Sequence, residues 1–241
     1  MTEQTSRSQQ LLEKLAHIIA STEPGQRLLT EPELAKQLGV SRATLREAMR
    51  TFETQGLIRR KQGSGTFVSH PSYTIESGLE VLESIETLAN RIGLPVTMGE
   101  LQVISSQPDS EESAALSIGL DSQVLRVSRI IQAEDRPVAY LVDTVPDDVL
   151  SPKDLNSSFT GSVLDLLLNQ GSLKLESSRT EINAVTASAD VSRALGIQRG
   201  DVLLCFKALL YAIDGRVVDF SYSYFLPGYF HFHVIRRVGL T

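Results

Sequence analysis

Residues 30–69, TEPELAKQLGVSRATLREAMRTFETQGLIRRKQGSGTFVS, decide the reading of the fold. Thr30 is placed to cap a helix. Glu33, three residues on, closes a capping box, and Pro32 stands near the first helical position, where its missing N–H costs nothing. Leu34, Ala35 and Leu38 form the apolar face of that helix, and Gly39 suits its left-handed end. Ser41 can cap a second helix by accepting a bond from a free first-turn N–H. On it Leu45, Ala48, Met49 and Phe52 recur at helical spacing as one buried stripe. Arg42, Arg46 and Arg50 form a second stripe on the exposed side, and Gly56 stops the helix. Leu57–Lys61 and Thr66–Ser69 can then pair as strands around Gln62-Gly63-Ser64-Gly65. Two capped helices, a tight turn and a basic glycine-tipped ribbon describe a winged helix-turn-helix. Its second helix offers arginines to a DNA major groove.

Three arginines on a helix are usually no more than a solvated face, and helix-turn-helix geometry also occurs without DNA. The joint pattern, Ser-Arg-x-Thr-x-x-Arg at a helix start followed by a basic wing, favours DNA. The Gly-Ser-Gly piece is no dinucleotide fingerprint, because no helix follows it and no third glycine or ribose-binding acid is in place.

The charge distribution agrees. Of 241 residues, 1–70 hold 10 Lys+Arg against 7 Asp+Glu, and 71–241 hold 13 against 22. A basic end can meet phosphate while an acidic body repels it, so DNA should dock from one side. Cys205 stands alone in an apolar run and reads as a small buried hydrophobe, with no disulfide framework and no redox role. The start MTEQTSRSQQ has no signal-peptide character, and no apolar run approaches the roughly 20 residues that span a bilayer. A cytoplasmic protein, associated with the nucleoid when on DNA, is the expectation, with no membrane contact.

The organisation expected is residues 1–70 as the DNA-binding domain, 71–96 as linker and amphipathic helix, and 97–241 as a larger α+β domain. A first helix over 8–21 carries Leu11, Leu12, Leu15, Ile18 and Ile19 on one face, and Pro24-Gly25 breaks it. A helix over 76–92 carries Leu82, Ile85, Ala89 and Ile92. From 97 onward strands dominate: 98–105, 123–133, 137–145, 174–186, 202–213, 216–225 and 231–237, with short helices at 110–118, 163–169 and 188–195. Asp214-Gly215 marks a hairpin turn. An antiparallel sheet results. His231 and His233 share a strand face, but no third ligand is placed, so neither a metal nor a cofactor is expected.

The head resembles the GntR family of bacterial transcription factors, through SRATLREAMRTFETQGLIRRKQGSGTFV and the helix before it. The resemblance implies a homodimer on a short palindrome of double-stranded DNA. By position Arg42 would read a guanine edge, and Ser41, Thr44 and Arg46 would hold phosphates. Arg50 would follow them on the exposed stripe, with Gln62 and Gly63 at the wing tip. Pro32 stands where relatives often carry an arginine, so base preference should differ. The larger domain resembles the UTRA domain of the HutC branch, which shares the chorismate lyase fold. RVSRIIQAEDRPVAYLVDTVP, ALGIQRGDVLLCFKALLYAIDGRVVDFSYSYF and FHFHVIRR carry that likeness. It implies a regulator, a repressor in the first instance, controlled by a small-molecule effector. Arg129 would hold an anionic group, Ser162 would donate from a helix start, and Asp219 would read hydroxyls or amines, with Ser223 and Phe225 on the same strand face. Sugar-phosphate-responsive relatives carry charges where Ile131 and Leu141 stand, so a singly anionic effector is expected. Arg129→Ala should then abolish the ligand response and spare the fold. A structural ion pair between Arg129 and Asp219 stays open as the alternative.

The rival class is an enzyme. A chorismate lyase-like sheet could retain catalysis, but no activated nucleophile, His–carboxylate set or metal site is visible, and no catalytic residue is assigned. The roughly 170 residues after the head are too few for the aminotransferase domain of some relatives. A DNA-binding protein without an effector is the third alternative, and a ligand-dependent shift in melting temperature separates it from the favoured reading.

Overall fold

In the first unit the stripe Leu11, Leu15 and Ile19 forms the buried side of α1 (Thr2–Ala20). The computed structural model describes residues 2–54, 57–61, 63–69, 75–91, 94–155, 159–171 and 173–234. The helix starts earlier than the expected residue 8. The apolar stripe marks only the packed part of α1, and Glu3, Gln4, Arg7, Gln9 and Gln10 are good helix formers that carry it further out.

Helix α2 (Glu31–Leu38) begins as read: the Thr30 N–H and hydroxyl both donate to the Glu33 carboxylate, at 2.9 and 2.6 Å. It ends on Gly39 at φ +66°, a conformation that a Cβ disfavours. Helix α3 (Arg42–Thr54) starts with the Thr44 N–H donating to the Ser41 hydroxyl at 3.1 Å. Leu15, Leu34, Leu45, Met49 and Ile58 close the core where the helices meet. Truncating Leu45, fully buried, to alanine should cost about 2–5 kcal/mol.

Strands β1 (Ile58–Lys61) and β2 (Gly65–Val68) make the wing, with Lys61 opposite Gly65 and Ile58 opposite Val68. Gly65 thus belongs to the strand rather than to the turn. Sequence reasoning missed a third element. After Pro24-Gly25 the chain runs along β2, the Leu28 N–H donating to the Thr66 carbonyl and the Val68 N–H to the Gln26 carbonyl. Gly56 and Gln62, and the linker residues His70, Pro71 and Ser72, lie outside the described residues.

The chain divides into two units, Met1–Thr74 with Leu226–His231, and Ile75–Phe225 with Phe232–Thr241. The second is built on six antiparallel strands: β4 (Val96–Ser106), β5 (Val124–Ala133), β6 (Arg136–Pro146), β7 (Leu175–Thr186), β8 (Val202–Ala212) and β9 (Val217–Phe225). Their order is β4-β5-β6-β9-β8-β7, two three-stranded meanders joined through β6 and β9. The β5–β6 turn has both Glu134 and Asp135 in the left-handed region, the twist a two-residue hairpin favours. Asp214-Gly215 turns β8 into β9, closed by the Ala212 N–H on the Arg216 carbonyl at 2.9 Å.

Helices α5 (Ser110–Leu116), α6 (Val163–Gln170) and α7 (Ala189–Leu195) are short and side-chain capped, by Asp109, Ser162 and Ser188. The expected helix over 76–92 is a correction. Residues Ile75–Gly78 form β3, paired with β10 (Phe230–His233), and only Ile85–Arg91 is helical, as α4. Ser77-Gly78 form helices poorly, and the helix starts where Ser84 caps it by accepting from the Thr87 N–H at 3.1 Å. Ile85, Leu88 and Ala89 face the core, whereas Leu82 is exposed.

Candidate nucleic-acid interface and ligand cavity

The start of α3 carries a fork of exposed cations. The side chains of Arg42 and Arg46 are 60% and 57% exposed. Ser41 and Thr44 lie beside them, their hydroxyls 2.8 Å apart and open to solvent. Arg50, further along, is half-buried. In the wing turn Gly63 is exposed at φ +75°. Gln62 falls outside the described residues.

One acid sits among these cations. Glu31, in the first turn of α2, takes Arg46 Nε at 2.7 Å and stands 4.0 Å from Arg42 and 3.9 Å from Arg60 of β1. Sequence reasoning assigned Glu31 no part. Its only signal was a carboxylate at the start of the helix that precedes an arginine-rich helix. At this exposure the pairing costs little to break, and a phosphate can replace the carboxylate.

The second unit holds a cavity of about 650 Å³, within the range of small-molecule sites. Its floor is one face of the sheet, and the stretch from Gly78 to Glu86 lines it too. Strand alternation puts Asp219, Ser221, Ser223 and Phe225 on that face, as read from the sequence, and all four line the cavity. Leu141 also lines it, while Ile131 is buried and takes no part in the lining.

Arg129 reaches this wall but is engaged within the protein. Only 4% exposed, it donates from Nε to the Gly161 carbonyl and from one terminal nitrogen to Asp143. Its ion-pair partner is therefore Asp143, not the Asp219 of the open alternative, and an incoming anion would meet a guanidinium already neutralised. Asp143 was missed. It lies on the same face of β6 as Leu141, the residue opposite Arg129, and so is a diagonal neighbour that a hairpin register could have revealed.

Ser162 is buried in the wall as the N-cap of α6, its hydroxyl accepting the Asp165 N–H at 2.9 Å. Its oxygen serves the helix, while a hydroxyl that accepts can still donate its proton. Asp165, in the same first turn, accepts the Ser84 hydroxyl at 2.6 Å, so this helix start already faces a carboxylate.

Asp219 is 5% exposed, and its Oδ1 has no hydrogen-bond partner among the described residues. Burial first, then the nearby Asp143, pushes its carboxyl well above the ordinary range, against the pull of Arg129. Glu86 of α4 has a second buried oxygen without a partner, Oε1, and burial raises its pKa. No sequence signal singled out Glu86. On the opposite sheet face Glu112 binds Arg126 through both oxygens, at 2.9 and 2.7 Å, and accepts the Thr144 hydroxyl at 3.0 Å. That pairing ties α5 to the sheet.

Among the described residues no helix is long and apolar enough to cross a membrane, and no cluster of three His, Cys, Asp or Glu side chains could hold a metal.

Comparison with known proteins adds independent findings. A family model described as bacterial regulatory proteins, gntR family, matches residues 7–68, and one for the UTRA domain matches residues 93–231. The chain is 31% identical over 219 residues to the HTH-type transcriptional repressor NagR of Bacillus subtilis, covering 89% of this chain and 88% of NagR. It is 28% identical to the histidine utilization repressor of Pseudomonas putida, over 76% of this chain and 73% of that one. The crystal structure of PhnF from Mycobacterium smegmatis superposes with a TM-score of 0.65, covering 95% of this chain and 100% of PhnF; at 18% identity it shows the fold alone.

Proposed function

Because the chain belongs to the GntR family of bacterial regulatory proteins and carries a UTRA domain, we propose that it represses transcription as a homodimer on palindromic DNA and changes its grip when a metabolite fills the cavity. It is a DNA-binding transcription regulator and not an enzyme. The exposed Arg42–Arg46 fork at the start of α3, beside a glycine-tipped wing, carries the proposal. Arg42 reads a guanine edge by a bidentate contact. Ser41, Thr44 and Arg46 hold phosphates, Arg50 supports them from the half-buried end, and Gln62 and Gly63 approach the minor groove. One helix and wing cover only a few base pairs, so a two-fold dimer is needed for a specific site. The regions 1–70 and 97–241 serve as reading head and as effector and dimerisation domain, and 71–96 both joins them and supplies part of the cavity lining. The protein acts in the cytoplasm, on the nucleoid.

Asp219, Ser223 and Phe225 form the effector wall, with Ser162 and Arg129 supporting it from behind. The singly anionic effector first expected is not retained, because Arg129 is spent on Asp143 and Gly161. Selection of bound fragments from a random duplex pool tests the DNA reading. Inverted repeats are expected, with one specified base pair per half-site lost in Arg42→Ala. Enrichment of no sequence at all would overturn it.

A further inference from the structure

Arg129 is the only base that lines the cavity among the described residues, against six acids. It is also bound to one of them, Asp143. Two of the other acids, Asp219 and Glu86, each bury an oxygen that no donor among the described residues satisfies. A buried acceptor without a donor is destabilising, so this wall is poised to receive donors. Around these acids Ser221, Ser223 and Thr180 present hydroxyls, and Leu141, Phe206 and Phe225 supply an apolar side.

We propose that the effector is an amine: a small hydroxylated molecule whose ammonium group docks against Asp219 and Glu86, while Arg129 stays as the brace of Asp143. This deepens, and rests on, the reading that the cavity holds the effector. An anion would have to displace Asp143 from Arg129 and would then face the remaining acids. An ammonium supplies both the missing donors and the missing charge.

A linked proton follows. Asp219 faces Asp143 from β6 and Arg129 from β5, and Glu86 faces Arg129, Asp165 and Asp143. Glu176 of β7 and Glu80 of the lining segment add negative charge, while Glu83 is paired with Arg91 of α4. With the cavity free of ligand, Asp219 holds its proton to well above the ordinary aspartate range. A docking ammonium favours the ionised form, so the proton passes to solvent on binding. An anion would drive proton uptake instead.

The full chain is screened by thermal shift against a metabolite library containing matched sets: glucosamine, glucose and glucose 6-phosphate; histamine and imidazole-4-acetate; putrescine and succinate. Hits are measured by calorimetry in buffers of different ionisation heat, which gives the sign of the linked proton. Stabilisation by amine members, with proton release, is expected. Asp219→Asn and Glu86→Gln should each weaken binding roughly tenfold or more. Melting curves of the variants without ligand show whether they fold, and the wild-type readings need no variant. Hits confined to anions, with proton uptake, would overturn the amine and leave the effector reading standing. Silence in every class would remove both.

Discussion

The two regions of this molecule use charge in opposite ways. In the reading head Arg42 and Arg46 are exposed, share one acid, Glu31, and come from forty consecutive residues. In the cavity Arg129, Asp143 and Asp219 are buried and Glu86 is half-buried, and these four reach it from four different elements. An exposed ion pair is screened and can be exchanged for phosphate, which suits a surface that must bind and leave DNA. A buried charge must be answered inside the protein, so the cavity's charges hold the fold together as well as define the ligand.

Removing Arg129 should therefore give the largest effect. Arg129→Ala leaves Asp143 buried without its cation and should cost about 3–5 kcal/mol in denaturant unfolding. This replaces the expectation that the variant would keep its fold. Arg46→Ala, removing an ion pair at the surface, should cost less than about 1 kcal/mol of stability. Equal losses would erase the contrast.

Next in size is base reading. Arg42→Ala should cost about 1–3 kcal/mol on the selected operator and relax one base pair per half-site, measured by gel-shift titration. Arg46→Ala should weaken all sequences alike and flatten the salt dependence.

A smaller effect is expected at Glu31. Glu31→Gln frees Arg46, so affinity for random duplex should rise about two- to fivefold, as the loss of one surface ion pair allows. The salt slope should steepen with it. Weaker binding would mean that Glu31 positions the arginines rather than competing for them.

Stability against pH sharpens the contrast within the second unit. Burial opposes ionisation of Glu112, but bonds from Arg126, the Asp109 backbone and Thr144 hold its pKa below the usual glutamate value. Its contribution is present above that usual value and is lost as pH falls through the lowered one. Asp219 runs the other way: its raised pKa gives stability below the ordinary aspartate value that is lost as pH rises through the raised one. Asp219→Asn should remove the second loss and spare the first, read from melting temperatures across a pH series.

The head was legible because its signals are local. Thr30 with Glu33, Gly39 and Ser41 each specify a backbone event within three or four residues, and the stripe of Leu45, Met49 and Phe52 follows from helical period alone. The strands of the sheet were legible for the same reason, as alternation put Asp219, Ser221, Ser223 and Phe225 on one face. The partners were not. Asp143 meets Arg129 through a hairpin register with a bulge, Glu86 arrives from another element, and residues 26–28 join the wing from before α2. The helix over 76–92 failed because its apolar spacing was sound while Ser77-Gly78 found a strand partner.

The central claim is that occupancy of the cavity controls the grip on DNA, and fluorescence anisotropy of the selected operator duplex, with and without a cavity ligand, tests it most directly. A coupling of about 1–3 kcal/mol is expected, a roughly 5- to 150-fold change in operator affinity, with the same factor in ligand affinity when operator is present. A ligand that saturates the cavity and leaves operator affinity unchanged would contradict it.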